Sequence, residues 1–347
     1  MKKVMKLAYM LMGVALLLSS CSEDIFPGGS ESNEDVTISL AYSDVSPRDI
    51  VVNSRATDAE ERHLENLYIY IFDGNGNLKG YKGIEGEANL NQETSNTAKA
   101  EITGIKTRSG ESYIYAVANI STGLYPIETS NGTVAANKLP INLNEETARA
   151  GGYDFTLDQL KALTFKRNNT SIDITSAFLM SGAVQDGNLV NITTAGTIAN
   201  DDNAIRLSRI VSKVKFTIKA ANTTGVTRSF KLDTYDIMNI AVDGSLVGKI
   251  DGNNRNKTTN VNNNIGNTVR PNDVENDAQF FEVYLPENLQ DAVHNVTTQA
   301  AREDDSQSIP KVFTNAPANG TYVVLKGKYE ETTSTSTKSA DVTYYVH

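Results

Sequence analysis

Residue types that commonly carry out chemistry are scarce in this chain of 347 residues. It contains one cysteine, Cys21, and three histidines, His63, His294 and His347. A single cysteine can form neither an internal disulfide nor a cysteine-based zinc site. His63 lies in a charged stretch and His294 follows a proline-containing turn, so we expect solvated side chains there rather than general bases. This inventory argues against an enzyme.

Acidic side chains offer two further possibilities, a calcium loop and a pair of catalytic carboxylates. The run from Asp73 to Asn77 begins like a calcium loop, but Leu78 stands where that loop needs glycine and Ile84 where it needs a bidentate glutamate. A hairpin turn is the better prediction for Asp-Gly-Asn-Gly-Asn. Asp304 and Asp305 lie in polar loop sequence without the signature of a glycosidase pair. We therefore predict no catalytic residue, no metal ion and no cofactor.

The N-terminus has the pattern of a signal peptide. Three lysines within the first six residues precede an apolar run from Leu7 to Leu18. A helix that spans the hydrocarbon core needs about 20 apolar residues, so this run is short for a permanent membrane helix. A membrane anchor or a buried core helix is the alternative interpretation.

The position of the only cysteine refines this interpretation. The sequence Leu18-Ser19-Ser20-Cys21 resembles the lipobox of bacterial lipoproteins. The resemblance implies a signal peptide over residues 1–20, cleavage between Ser20 and Cys21, and attachment of diacylglycerol and an acyl chain such as palmitate to Cys21. Several acyl chains on one residue anchor a protein stably, whereas one chain binds a membrane only marginally.

The mature chain is predicted to be strongly acidic, so only the lipid would attach it to the membrane. The full chain has 32 basic and 42 acidic residues, and loss of three lysines with residues 1–20 changes the net charge from −10 to −13. This acidic balance argues against binding to nucleic acid, which needs a basic face, and against binding to an anionic leaflet by charge. Residues 21–35 are predicted to be an acidic flexible tether. Within it, Ser22-Glu23-Asp24 resembles both outer-membrane sorting and surface-export signals.

After the tether, the patterns are typical of an all-β protein. Alternating or β-branched and aromatic runs predict strands at Val36–Leu40, Leu67–Phe72, Ser112–Ala118, Lys213–Lys219, Gln279–Leu285 and Thr321–Lys326. Only one segment is predicted to be helical, at the capping box Thr156-Leu-Asp-Gln159. Strands without long intervening helices exclude a doubly wound parallel sheet and favour sandwiches.

Length and turn signals suggest two domains. At about 150 residues per domain, 347 residues suffice for two cores. The polar turn Asn200–Asn203 is the predicted junction, which gives domains over residues 36–203 and 204–347. The stretch Asp251–Asn276, rich in asparagine and threonine, is predicted to be one long exposed loop.

Five stretches resemble, in order, the fimbrillin family, the subunits of protease-assembled (type V) pili on Gram-negative surfaces. They are Glu61–Gly76, Ile114–Asn119, Phe178–Gly182, Ile205–Val214 and Phe281–Asn288. The resemblance implies two transthyretin-like Greek-key β-sandwich domains in tandem. It also implies a surface-exposed protein of the outer membrane and the fimbrium, with other fimbrial subunits as partners and a host or bacterial surface ligand.

The same resemblance implies a mode of assembly. In this family an arginine-specific protease cuts after the first strand, and a strand of a neighbouring subunit fills the groove that is left, by β-augmentation. The corresponding bond here is Arg55-Ala56, with Arg48 and Arg62 as rival sites. The alternative is that Arg55 is an ordinary loop arginine in an uncleaved protein.

The C-terminal sequence departs from the family's pattern. The chain ends at His347, inside a predicted strand that starts at Ala340. Family members of this kind continue with further strands, including donor strands, so the second domain is expected to be either incomplete or differently closed. Stalk, tip and anchor roles all remain open, as does the alternative function of a monomeric glycan- or ligand-binding surface lipoprotein.

Overall fold

A computed structural model describes the chain over residues 34–44, 63–86, 90, 99–120, 125–167, 178–194, 198, 204–247, 261–262, 265–268, 274–275, 278–288, 290, 296, 298, 316–317 and 319–346. The earlier strands are β1 (Asp35–Asp44), β2 (Asn66–Asp73), β3 (Leu78–Glu85), β4 (Lys99–Arg108), β5 (Gly110–Ala118), β6 (Thr129–Asn131), β7 (Leu139–Ile141), β8 (Thr164–Lys166), β9 (Met180–Ala183), β10 (Val190–Ile192) and β11 (Ile205–Arg209).

The later strands are β12 (Val211–Ile218), β13 (Thr227–Met238), β14 (Ile240–Ala241), β15 (Asp243–Ser245), β16 (Val261–Asn262), β17 (Ile265–Thr268), β18 (Val274–Glu275), β19 (Ala278–Pro286), β20 (Tyr322–Thr332) and β21 (Thr337–Val346). The helices are α1 (Glu145–Arg149), α2 (Leu157–Ala162) and a 3₁₀ turn at Val184–Gly187. The predicted all-β class is confirmed. The transthyretin-like Greek-key topology of each domain stays a prediction.

The largest sheet has eight strands, in the order β3-β2-β5-β9-β11-β1-β4 with β10 paired to β5. Strand β2 is buried on both faces, as its uninterrupted apolar and aromatic sequence requires. On the aromatic face, the ring of Phe155 lies 5.6 Å from that of Tyr70 and 5.9 Å from that of Phe72. The segment between β7 and β8 therefore covers this face of the sheet.

The turn between β2 and β3 is the predicted hairpin. The carboxylate of Asp73 accepts hydrogen bonds from the backbone N–H groups of Asn75 at 2.9 Å and Asn77 at 2.8 Å. An aspartate that bonds the backbone two and four residues later stabilises a tight turn. The side chain thus has a structural role within the turn.

Of the two α-helices, α2 was predicted from the sequence and α1 was not. At α2, Thr156 and Gln159 form the expected capping box, in which each side chain bonds the other residue's backbone N–H. Helix α1 was not predicted, since it has only five residues and too short an apolar pattern to detect. Its start is nevertheless visible in sequence, because Asn144 accepts from the Thr147 N–H and two glutamates follow.

The later strands form two smaller sheets, ordered β17-β13-β20-β21 and β12-β19-β18. Tyr235 of the first and Phe281 of the second stack with their ring centroids 3.8 Å apart. Phe216 stacks on the other side of Phe281 at 4.8 Å. These rings belong to a second hydrophobic core, distinct from the core of the eight-stranded sheet.

The prediction of one long loop over Asp251–Asn276 is wrong in its later part. Strands β16, β17 and β18 lie there, paired with β14, β13 and β19. Their polar composition has low β propensity, but hydrogen bonds to neighbouring strands override that preference.

The division into domains after residue 203 stays a prediction. Strand β11, which follows the division immediately, pairs with β9 and β1 inside the eight-stranded sheet. Strand β15 pairs with β8, and the Ser181 hydroxyl donates to the Leu246 carbonyl at 2.7 Å. Hydrogen bonds therefore cross the predicted division at several points.

Candidate functional site

Strand β1, the element on which the predicted exchange would act, lies between β4 and β11 in the largest sheet. It runs antiparallel to β4, from Asp35 opposite Arg108 to Ser43 opposite Lys99. With β11 it pairs in parallel over a short stretch at Tyr42–Asp44. Because both neighbours bond to β1, removing it would leave two strand edges facing an open groove.

Four side chains of β1 point into the core. Val36, Ile38, Leu40 and Tyr42 occupy alternate positions, and each is at most 8 % exposed. Burying a side chain of this size contributes about 1.5–3 kcal/mol relative to leaving it in water. The groove of β1 is therefore a row of apolar sites at the two-residue spacing of a strand.

The C-terminal member of this row, Tyr42, carries a polar group. The Tyr42 hydroxyl is buried and has no hydrogen-bond partner within the described part of the chain. Burial raises the pKa of Tyr42 to about 12, because the phenolate would lose its hydration.

The pairing of β1 with β4 contains a bulge. Ile38 lies opposite Ile105 and Leu40 opposite Ile102, so a single residue of β1 faces two residues of β4. One of these is Gly104, whose φ of +74° suits glycine. The bulge turns the β4 side chains so that apolar residues meet β1 on both sides of it.

Helix α1 is fixed to the neighbouring strands by two ion pairs. Lys82 Nζ of β3 lies 2.9 Å from Glu145 Oε1, and Lys106 Nζ of β4 lies 2.6 Å from Glu146 Oε1. All four side chains retain solvent exposure, so these pairs orient the helix more than they stabilise it.

The last residue of α1, Arg149, contacts the first residue of β1. Its guanidinium pairs with the Asp35 carboxylate and also lies 2.9 Å from Glu146 Oε2. The Arg149 side chain is 25 % exposed and the Asp35 side chain is 62 % exposed. The pair therefore lies at the solvent-exposed end of the groove where β1 begins, next to Val36, the first residue of the buried row.

The predicted lipid and cleavage residues lie outside the described residues. These are Ser20, Cys21, Arg55 and Ala56, together with the rival sites Arg48 and Arg62. Strand β1 ends at Asp44 and β2 begins at Asn66, so Arg55 does fall in the connection between the first two strands. Attachment at Cys21 and cleavage at Arg55 stay predictions.

Among the histidines, only His63 is described. Its backbone carbonyl accepts a hydrogen bond from the Asn119 amide at 2.8 Å. Over the described ranges, no cluster of metal-ligating side chains and no helix long and apolar enough to span a membrane is found.

A cleft of about 720 Å³ lies where the largest sheet meets the later strands. Arg206 and Ser208 of β11 line it, and Glu287 and Asn288 follow β19 on the other side. The lining mixes charged, polar and apolar groups, and its two aromatic members, Tyr115 and Phe165, are only 4 % and 3 % exposed.

Sequence reasoning missed three polar residues that organise the site's surroundings. Arg149 is the first, since nothing near it in sequence indicates Asp35 as its partner. Lys79 is buried and donates from Nζ to the Ser109 and Glu111 carbonyls at 3.2 and 3.0 Å. Asn119, at a positive φ directly after β5, ties three backbone segments together, and asparagine at a strand end was an available signal.

Comparison of the sequence with known protein families finds one family that covers most of the chain. The sequence profile of the family "Major fimbrial subunit protein (FimA)" matches residues 35–270, which is more than half of the chain. The chain belongs to the FimA major fimbrial subunit family. This membership confirms the predicted relationship to fimbrial proteins and indicates a fimbrium-related adhesion protein. A domain of unknown function (DUF4906) matches residues 283–347, and no curated protein matches the chain.

Solved structures agree with the fold of a FimA-family chain. One candidate cell adhesion protein of Parabacteroides distasonis is 12% identical with a TM-score of 0.51, and the match covers 89% of this chain and 80% of that chain. A second from the same organism is 14% identical with a TM-score of 0.50, covering 90% and 84%. At such low identities the likeness shows the fold alone.

Proposed function

We propose that this chain is a fimbrillin-like structural subunit, or a tip or anchor component, of a cell-surface fimbrium that supports adhesion. It is exported as an outer-membrane lipoprotein through Cys21 and assembles with other fimbrial subunits by exchange of strand β1. Membership of the FimA family supports the fimbrial role. The observation that carries the assembly step is the position of β1, bonded to β4 along its length and to β11 at Tyr42–Asp44, and joined to β2 by the segment that holds Arg55.

The geometry suits exchange because the chain connection decides which strand occupies the groove. While the connection from Asp44 to Asn66 is intact, β1 competes for its own groove at an effective concentration in the millimolar range. Cleavage at Arg55-Ala56 removes this advantage. A strand of another subunit can then take the same ladder of hydrogen bonds and the same row of apolar sites.

Substitution of the arginines tests the cleavage step. Arg55→Lys keeps the positive charge but removes the side chain that an arginine-specific protease requires. We expect this variant to be recovered with Cys21 as its first residue and without SDS-resistant ladders in unboiled outer-membrane extracts. Arg48→Lys is the matched control and should assemble normally. Assembled wild-type protein whose N-terminal sequence begins at Cys21 would rule out cleavage.

Substitution of the cysteine tests the lipid anchor. Cys21→Ser retains a small polar residue but removes the thiol that carries the diacylglycerol. We expect loss of metabolic labelling with palmitate and loss of the protein from the outer-membrane fraction. Undiminished labelling of Cys21→Ser would show that the lipid lies elsewhere.

We also propose two sandwich domains, over residues 36–203 and 204–347, that share strand β11 as a common element. The two separate hydrophobic cores support two domains, and the pairing of β11 with β1 supports the sharing. Limited proteolysis of the full chain should cut near residues 198–206 under this proposal. Resistance throughout that stretch would favour a single fused body.

The cleft beside β11 favours a second candidate function, the binding of a surface glycan by a monomer. Its charged and amide groups could hydrogen-bond hydroxyl groups, although the buried Tyr115 offers little ring surface for stacking. Micromolar binding on a glycan array that is lost in Arg206→Ala, together with a strictly monomeric mature protein, would favour this function over the first.

A further inference from the structure

We propose that Arg167 binds a small monovalent anion such as chloride, in the interior of the protein where β8 meets the later strands. The site lies outside the β1 groove, so this proposal and strand exchange stand or fall independently. It assigns a ligand to a buried guanidinium that has no hydrogen-bond acceptor among the described residues.

Alternation along β8 directs the Arg167 side chain into the protein. Thr164 and Lys166 are exposed, whereas Phe165 between them is buried. Side chains two residues apart in an extended chain share a face, so Arg167 follows Phe165 inward and is only 5 % exposed. The backbone fixes this position, because the Arg167 N–H donates to the Val242 carbonyl at 2.6 Å.

The buried guanidinium of Arg167 lacks a counter-charge. Its Nε and both Nη atoms have no hydrogen-bond partner within the described part of the chain. Over the same residues its charge interacts with Tyr125 and with no carboxylate. Burial lowers the pKa of Arg167, because the charged form loses its hydration, but an arginine in a protein stays protonated. A buried cation without an acceptor is strongly unfavourable, so we infer that an anion from solution supplies the missing charge.

Two other cations of the same region do have partners. Lys166 points to the opposite side of β8, where its Nζ lies 3.5 Å from Glu128 Oε1 and both side chains are largely exposed. Lys79 is buried, and its Nζ donates to three backbone carbonyls within 3.4 Å. Arg167 has neither a carboxylate nor a set of carbonyls, which distinguishes its surroundings from theirs.

Tyr125 offers the anion a second donor. Burial raises the pKa of Tyr125 well above its ordinary value, although the nearby Arg167 guanidinium opposes that rise, so the hydroxyl stays neutral. Its O–H donates to the Tyr284 carbonyl at 3.4 Å, which is long for a hydrogen bond between two oxygens. An anion beside the guanidinium would be a stronger acceptor for this O–H.

Charge and packing restrict the anion to a small monovalent one. One guanidinium balances one negative charge, whereas sulfate would bring a second charge into the interior. The rings of Tyr125 and Phe165 meet edge-on with their centroids 5.6 Å apart, and neither is more than 4 % exposed. A bulky group from solution therefore has no access to the guanidinium, and a halide ion fits the site best.

The site joins segments on both sides of the predicted division after residue 203. Tyr125 and Arg167 precede that division, and the carbonyl groups of Val242 and Tyr284 to which they donate follow it. Strands β8 and β15 pair at the same place. We expect the anion to stabilise the folded chain where these segments meet.

The line width of the chloride NMR signal tests for the bound anion in the full chain. Chloride that exchanges with a protein site gives a broadened signal, so we expect broadening in proportion to the wild-type protein added. Arg167→Met keeps a long side chain, removes the charge and should abolish the broadening. Lys166→Met makes the same change at the adjacent exposed cation and is the matched control, which should broaden the signal as the wild type does. Equal broadening by Arg167→Met and the wild type would overturn the proposal.

A second variant and competing anions keep the test valid if Arg167→Met does not fold. Tyr125→Phe retains the guanidinium, removes the second donor and should weaken chloride binding roughly tenfold. Bromide should displace chloride, whereas sulfate at the same ionic strength should not. Unchanged affinity in Tyr125→Phe would contradict the role of its hydroxyl, and displacement by sulfate would contradict a monovalent site.

The dependence of stability on the anion gives an independent test. Gluconate is monovalent but too large for the site, so replacing chloride by gluconate at constant ionic strength should lower the unfolding temperature of the wild type. Arg167→Met buries no charge, so its unfolding temperature should be the same in both salts and at least that of the wild type in gluconate. A wild-type unfolding temperature that is equal in chloride and gluconate would show that Arg167 needs no anion, and the proposal would be wrong.

Discussion

Strands β1 and β12 have the same alternating pattern and very different surroundings. In β1, Val36, Ile38 and Leu40 are buried to 8 % exposure or less. In β12, Val214, Phe216 and Ile218 are only partly buried. The difference follows from topology, because β1 lies between two strands, whereas β12 has β19 as its single neighbour in the described sheet. Alternation in a sequence identifies the apolar face of a strand but not how completely that face is covered.

The two hydrophobic cores differ in the same way, since the core of the eight-stranded sheet is larger and more completely buried than that of the later sheets. The eight-stranded sheet buries rings on both of its faces, including five tyrosines of its own strands. The later sheets meet at a stack of Tyr235, Phe281 and Phe216, of which the last is at an edge. The predictions below test whether the first region is the more stable and the more completely buried of the two.

Alkaline pH should produce the largest effect, because burial raises the pKa of several tyrosines of the first region above 10.0. These are Tyr42, Tyr68, Tyr70, Tyr81, Tyr115 and Tyr125. Their neutral forms stabilise the folded state, so this contribution is fully present below pH 10 and is lost as the pH rises through 12. We expect a cooperative rise in tyrosinate absorbance together with loss of the β-sheet circular dichroism signal.

The buried hydroxyl of Tyr42 provides a control for this titration. Tyr42→Phe removes a buried hydroxyl that has no partner among the described residues and also removes one ionisation. We expect unchanged or greater stability at neutral pH and an alkaline transition displaced upward. Gradual ionisation of all tyrosines near pH 10, without loss of sheet signal, would mean that the first region is not protected.

Truncation of one side chain in each strand compares the cores directly. Leu40→Ala in β1 should lower the free energy of unfolding by about 3 kcal/mol, because the cavity it leaves is fully enclosed. Ile218→Ala in β12 should lower it by about 1 kcal/mol, since Ile218 is already partly hydrated. Urea denaturation of the full chain measures both values. Equal losses would contradict the contrast between the two strands.

Removal of a helix cap should have a moderate effect on the layer that covers the first sheet. Thr156→Ala deletes the hydroxyl that accepts from the Gln159 N–H at 3.2 Å, and should lower the free energy of unfolding by about 1 kcal/mol. Thr164→Ala, at an exposed position in β8, is the matched control and should change it by less than about 0.5 kcal/mol. The same loss in both variants would mean that the cap is not what holds α2.

The smallest effect is expected at the edge of the later sheet. Tyr344→Ala removes a ring that is 46% exposed and that meets Phe230 edge-on at 5.5 Å. We expect a loss of about 0.5 kcal/mol in thermal or urea unfolding. A loss comparable to that of Leu40→Ala would show that β21 is as firmly held as β1.

Features of this molecule that depend on neighbouring residues were predictable from the sequence, whereas contacts between residues far apart in the chain were not. Strands β2 and β5 and the cap of α2 were predictable, because their signals lie within a few adjacent residues. The parallel pairing of Tyr42 with Ile205 was not, because it depends on a sheet order that joins distant parts of the chain. The contact of Arg149 with Asp35 was missed for the same reason, and it belongs to the candidate site rather than to the framework.

The placement of β1 between two strands also has a mechanical consequence. A force applied along β1 acts in shear on its hydrogen bonds to β4 and to β11, and these bonds must break together before the strand can slide. Strand β21, bonded to β20 alone in the described sheet, divides the same load over one ladder. A fibre whose subunits are joined through the β1 groove would therefore carry tension on two ladders of hydrogen bonds at once.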